Sequence, residues 1–194
     1  MQSVKVNLRQ LVTPSKTILV VWDVQRMLVN SIFNREEFLK NLNLLLRAAR
    51  AARVKIVFTR ISPLPPQYQS PVLRVLNRWG NMRFTASDLA LAVNPMRNEV
   101  VIDKSTTSIF IGTNFEYMAR NVGATTLIFT GIATEIGVES SARDAYNRGF
   151  LPIIVEDAVS SSDREAHERS LANMRKLFLV VKTQDLINAW GVRV

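Results

Sequence analysis

Thr17-Ile18-Leu19-Val20-Val21-Trp22 is an unbroken run, rich in β-branched residues, that stops at the carboxylate of Asp23. A run of this length without apolar–polar alternation fits a strand buried on both faces. Similar runs recur at Val54–Thr59, Val100–Asp103, Thr125–Thr130, Leu151–Val155 and Phe178–Val181. Helical patterns lie between them. Asn34 stands at a cap position with Glu37 three residues on, followed by a stripe of Phe38, Leu42, Leu45, Ala49 and Ala52. Further helices are expected from near Ser87 to Pro95, from Asn114 to Gly123, from Gly137 to Arg148, from Asp163 past Met174, and over Gln184–Trp190. Buried strands alternating with helices predict a Rossmann-like three-layer α/β/α fold with a six-stranded, mainly parallel sheet. The proline-bearing stretch Ile61–Phe84 reads as a loop or lid over the strand ends. No linker or internal repeat divides the 194 residues, so a single domain over 1–194 is expected.

Composition narrows the chemistry. The chain is 47% hydrophobic and 21% charged, an ordinary globular balance, and it has no cysteine. Disulfides, thiolate metal sites and a cysteine nucleophile are thereby excluded. One histidine, His167, cannot build a multi-histidine zinc site, and no metal or cofactor is expected. The net charge of +9 invites a polyanion, but the basic residues are scattered and the densest tract is only Arg47, Arg50, Arg53 and Lys55. Specific nucleic-acid binding is not expected. No signal-peptide core or membrane-length apolar stretch is visible, which predicts a cytoplasmic protein with no membrane partner.

In an open parallel sheet, ligands bind beyond the carboxyl ends of the strands. That rule selects Asp23, Arg60, Asp103-Lys104, Gly131–Gly137 and Glu156-Asp157. No strand is followed by a glycine-rich dinucleotide or phosphate loop. Asp23 is either a tuned acid/base or a carboxylate capping the next loop. Lys104 either pairs with it or is a surface lysine. The Thr130–Ala145 stretch runs from strand through turn to helix, where backbone N–H groups can receive an oxyanion. His167, in phase with Leu171 and Met174, reads as a packed, hydrogen-bonded core residue; Arg143 and Asp144 read as structural ion-pair residues. Asp157 reads as a cap for the loop before Asp163. Trp22, Phe33 and Trp79 are either pocket walls or plain core.

Asp23-Val24-Gln25, the Asp103-Lys104-Ser105 to Ser108-Ile109-Phe110 stretch, and Gly131–Ala145 followed by Arg148-Gly149 together resemble the isochorismatase-like hydrolase superfamily, from about Lys16 to Trp190. The resemblance implies an Asp–Lys–Cys site in the family's cysteine hydrolases, with Asp23 and Lys104 in the first two places and Gly137 at the cysteine position. It implies a cis peptide joining Ile132 to Ala133, with the Ala133 and Gly137 amides as oxyanion donors. Glycine also stands at that position in true isochorismatases, where the aspartate protonates a vinyl ether and water completes hydrolysis without a covalent intermediate. Leu76-Asn77-Arg78-Trp79-Gly80 is similar to the lid of that subgroup, which makes Trp79 a substrate contact. Ile61 falls where the subgroup has a glutamine, and Val72 falls at its lid arginine position with Arg74 two residues on. Gln25 and Arg60 are the remaining candidates for holding a small anionic substrate, Arg60 as a bidentate carboxylate clamp. The resemblance further implies a homodimer or homotetramer, and a reactive, low-pKa thiol if a cysteine were placed at 137. A non-catalytic member that binds a ligand or serves an assembly is the alternative.

Overall fold

The computed structural model describes residues 7–75 and 85–194, apart from the side chains of Leu73 and Arg74. Six strands, β1 (Thr17–Trp22), β2 (Lys55–Ile61), β3 (Val100–Lys104), β4 (Thr126–Ile132), β5 (Leu151–Ser160) and β6 (Leu179–Val181), form one sheet in the order β3-β2-β1-β4-β5-β6. Every pairing is parallel. The chain builds outward from β1 to β3, then returns to the other side of β1 for β4. The strand order therefore reverses at the β1–β4 boundary, the switch point outside which open parallel sheets bind ligands at the carboxyl edge.

The continuous apolar run of β1 has the predicted cause. All six residues are buried, and their alternation feeds two cores. Leu19 and Val21 face one core with Phe38, Leu42, Leu45 and Leu46 of α3 (Arg35–Ala51). Ile18, Val20 and Trp22 face the other, with residues of α6 (Phe115–Asn121), α7 (Glu139–Asn147) and α8 (Arg164–Met174). The last helix, α9 (Thr183–Trp190), returns to the α3 side through Leu186. These helices make the two outer layers.

Short helices α1 (Leu8–Leu11), α2 (Arg26–Val29), α4 (Pro71–Val75) and α5 (Ala86–Leu89) complete the described elements, together with tight turns at Pro14–Lys16 and Pro66–Tyr68 and a π-helical turn at Thr134–Val138. Three expectations are corrected. The helix expected up to Pro95 ends at Leu89, although Thr85 opens it with a full capping box to Asp88. β5 continues to Ser160 instead of stopping at Val155, because its second half pairs with the end of β4 across a bulge, Gly131 with Val159 and Ile132 with Ser160. Asp157 consequently does not cap the loop before Asp163; its carboxylate accepts from the Thr183 N–H and hydroxyl at 2.8 and 2.9 Å and opens α9.

Gly131 is fixed by a close approach. It pairs with Trp22 at φ +113°, and a Cβ there would stand 2.0 Å from the Trp22 carbonyl oxygen. Both the backbone angle and the neighbouring strand exclude a side chain. Gly131→Ala should cost about 4 kcal/mol or more, read as a lower urea midpoint; an unchanged midpoint would contradict this account of the β1–β4 contact.

Candidate active site

Strand parity determines which side chains meet at the carboxyl edge. Val57 and Ile102 belong to the core beneath α6 and α7. Two residues on, Thr59 and Lys104 occupy the same face, as does Trp22 of β1. Asp23 follows at φ +46°, a left-handed conformation uncommon outside glycine, and its carbonyl accepts from the Gln25 N–H at 2.7 Å. This turn brings the Asp23 carboxylate back over the same face.

There it meets Lys104, with Nζ donating to Oδ2 at 2.6 Å. The Thr59 hydroxyl donates to Asp23 Oδ1 at 2.5 Å and accepts from the Asp23 backbone N–H at 3.0 Å, a reciprocal clasp. Lys104 Nζ also donates to the Thr106 carbonyl at 3.1 Å and lies 3.8 Å from the centroid of the Trp22 ring. The ion-paired side chains are only 2% (Lys104) and 3% (Asp23) exposed. Burial, which disfavours charge, pushes Asp23 above the usual carboxylate range, with Lys104 and Thr59 pulling the other way. Burial likewise lowers Lys104, against the pull of Asp23.

The turn after β4 carries the Ile132–Ala133 cis peptide that the resemblance implies. It continues into a π-helical turn, Thr134–Val138, before α7. Inside that turn the N–H groups of Ile136, Gly137 and Val138 all point to the Ala133 carbonyl, at 3.2, 3.1 and 3.3 Å. The Gly137 amide is therefore occupied rather than free as an oxyanion donor. Gly137 itself is buried against Trp22: a Cβ there would fall 1.9 Å from the indole Nε1. The expectation of a reactive thiol at 137 is corrected by that contact, because the indole holds the place a cysteine side chain needs.

Two other expected substrate contacts are directed elsewhere. Arg60 has the opposite parity from Thr59, and its guanidinium forms an exposed bidentate pair with Asp103 at 2.6 and 2.8 Å. Gln25 is fully buried and works as a clamp: its amide donates to the Ile61 and Leu89 carbonyls and accepts from the Ile61 N–H. Trp79 lies outside the described residues. His167 is 7% exposed, and its Nδ1 lies 2.8 Å from Thr134 Oγ1, a packed histidine as expected. Arg143 and Asp144 pair with Glu139 and Arg148 along α7. Thr59 escaped the sequence reading, although a polar residue ending a buried strand beside Arg60 is a visible signal. Among the described residues no group of three or more His, Asp or Glu side chains is arranged to hold a metal ion. No helix among them is long and apolar enough to cross a membrane.

Residues 17–185 match the Isochorismatase domain family. The chain is 34% identical over 99 residues to the uncharacterized isochorismatase family protein YecD of Escherichia coli O157:H7, covering 50% of this chain and 53% of YecD. It is 38% identical over 88 residues to the ureidoacrylate amidohydrolase RutB of Methylobacterium radiotolerans, covering 45% of this chain and 34% of RutB. Each match thus spans about half or less of the curated relative's length. The fold superposes on the crystal structure of a cysteine hydrolase from Pseudomonas syringae pv. phaseolicola 1448A with a TM-score of 0.83, at 21% identity, over 92% of this chain and 93% of the other.

The buried pair yields a stability prediction with a definite pH dependence. Lys104→Met leaves Asp23 buried without its cation, at a cost of about 3–5 kcal/mol near neutral pH. The Asp23 pKa then rises further, because burial remains while the lysine's pull is lost. A carboxyl whose pKa is raised by folding stabilises the fold below its unfolded pKa and loses that contribution as pH rises through the folded value. Urea melts should therefore find Lys104→Met closest to wild type in acid and progressively weaker toward neutrality; the reverse trend would contradict the assignment. From β1 into the first turn of α9, over residues 17–185, this chain belongs to the Isochorismatase domain family.

Proposed function

We propose that the chain hydrolyses a small anionic metabolite by proton transfer from Asp23, with no covalent enzyme intermediate. Isochorismate, a related vinyl ether or a small amide is the substrate class. The observation that carries this reading is the Asp23 carboxyl, buried at the topological switch point between Lys104 Nζ at 2.6 Å and the Thr59 hydroxyl at 2.5 Å; burial pushes its pKa up, against the pull of Lys104. For a vinyl ether the carboxyl protonates the terminal carbon, and a water oxygen bonds to the resulting oxocarbenium carbon. The proton lost by that water restores Asp23. The hemiketal then collapses, breaking the ether carbon–oxygen bond to give a ketone and an alcohol.

Lys104 is the electrostatic partner that steadies Asp23 whenever it is ionised, and Thr59 orients the carboxyl through its reciprocal hydrogen bonds. The Ala133 amide is the donor left for an anionic oxygen, since the Gly137 N–H is spent on the Ala133 carbonyl. Trp79, with its lid resemblance, is the aromatic contact in this reading. Arg60 is left out, because Asp103 occupies its fork. A cytoplasmic location, from the sequence pattern, and a homodimer or homotetramer, from the family resemblance alone, complete the proposal.

A second reading has its own observation. Both charged side chains are shut from solvent, Lys104 is bonded on three sides, and an indole covers Gly137. A centre so closed also suits a non-catalytic member that binds a ligand elsewhere or serves an assembly. Hydrolysis assays on isochorismate and a panel of small amides separate the two. The enzyme reading predicts turnover that falls at least about 100-fold in Asp23→Asn, with unchanged circular dichroism, given the usual 10²–10⁴-fold weight of a positioned acid. Full activity in that variant removes Asp23 from the chemistry, and no turnover on any substrate favours the second reading.

A further inference from the structure

Two contacts converge on the Trp22 indole. Its π face lies beneath the Lys104 ammonium. Its edge lies over Gly137, where an added Cβ would meet Nε1 at 1.9 Å, Cε2 at 2.1 Å and Cζ2 at 2.4 Å. Backbone conformation does not require glycine at 137: unlike Gly131, it does not have a positive φ. In helical backbone an alanine would ordinarily be the more stable residue. The space alone demands glycine.

The indole has little room to yield. Trp22 is 2% exposed and packed in the core beneath α6 and α7. Its backbone is held against Gly131, too closely for any side chain there, and Lys104 closes off one face of its ring. A side chain at 137 and an indole at 22 therefore compete for one volume.

We propose that Trp22 is the specificity-determining residue of this centre: by filling the volume over Gly137 it bars a nucleophilic side chain at position 137. Under the hydrolytic reading above, on which this consequence rests, water is then the attacking group. The steric exclusion itself stands on the geometry of residues 22 and 137.

The test is a four-protein cycle in the full chain, read by urea midpoint: wild type, Gly137→Ala, Trp22→Val, and the double variant. Gly137→Ala lowers the midpoint while Trp22 is present, and leaves it unchanged or raises it in the Trp22→Val background. Equal lowering in both backgrounds, or tolerance of Gly137→Ala beside Trp22, overturns the proposal. Trp22→Leu replaces Trp22→Val if the larger truncation does not fold.

A second arm follows iodoacetamide labelling by intact mass at neutral pH. Gly137→Cys alone fails to accumulate as folded protein, or its thiol is alkylated at least tenfold more slowly than in Trp22→Val/Gly137→Cys. A folded Gly137→Cys labelled as fast as the double variant also overturns the proposal. Neither arm measures hydrolysis, so failure of the Asp23→Asn assay would sink the functional reading and leave this one standing.

Discussion

A carboxylate and an ammonium buried together at the end of a parallel sheet impose strict demands on everything around them. Each charge has lost its water, and their mutual attraction offsets even part of that loss only when the remaining lone pairs and protons are also satisfied. Here they are: Thr59 takes one Asp23 oxygen, Lys104 the other, and the Thr106 carbonyl and Trp22 ring receive the remaining faces of the ammonium. The strand order matters for the same reason. β2 stands between β1 and β3, so Thr59 lies between the residues that bracket the pair and can hold Asp23 from below.

The turn after β4 answers to residue 22 twice. Gly131 lets the two strand backbones approach, and Gly137 leaves room for the indole that the approach brings with it. Between them the cis peptide and the π-helical turn redirect the chain into α7. A strand end, a turn and a helix start are thus packed around one aromatic side chain. The buried aspartate–lysine pair thus stands beside an indole that fills the space a side chain at 137 would need.

Much of this was legible in the sequence because its physical causes are local. The unbroken run Thr17–Trp22 identifies a doubly buried strand, and alternation with amphipathic stretches implies a parallel sheet. Asp23, Lys104 and the Gly131–Gly137 stretch stand at strand ends, where such sheets bind ligands. The Ile132–Ala133 cis bond was implied by resemblance alone. What escaped depends on relations between distant residues. Arg60 looked like a carboxylate clamp until register paired it with Asp103 on the opposite face. Gln25 looked like a substrate contact, yet it ties Ile61 to Leu89. Gly137 read as a missing cysteine, and only three-dimensional packing reveals that Trp22 claims the space. Thr59 needed the same parity argument to be recognised as part of the site.

The central claim is that Asp23 holds its proton to higher pH than an ordinary aspartate despite its lysine partner, because burial outweighs the pairing. A ¹³C NMR titration of the Asp23 carboxyl in the wild-type protein, assigned with Asp23→Asn, tests it directly. The account predicts a midpoint above the normal aspartate value; a midpoint below it would mean that Lys104 dominates, leaving Asp23 a permanent anion unable to act as the acid.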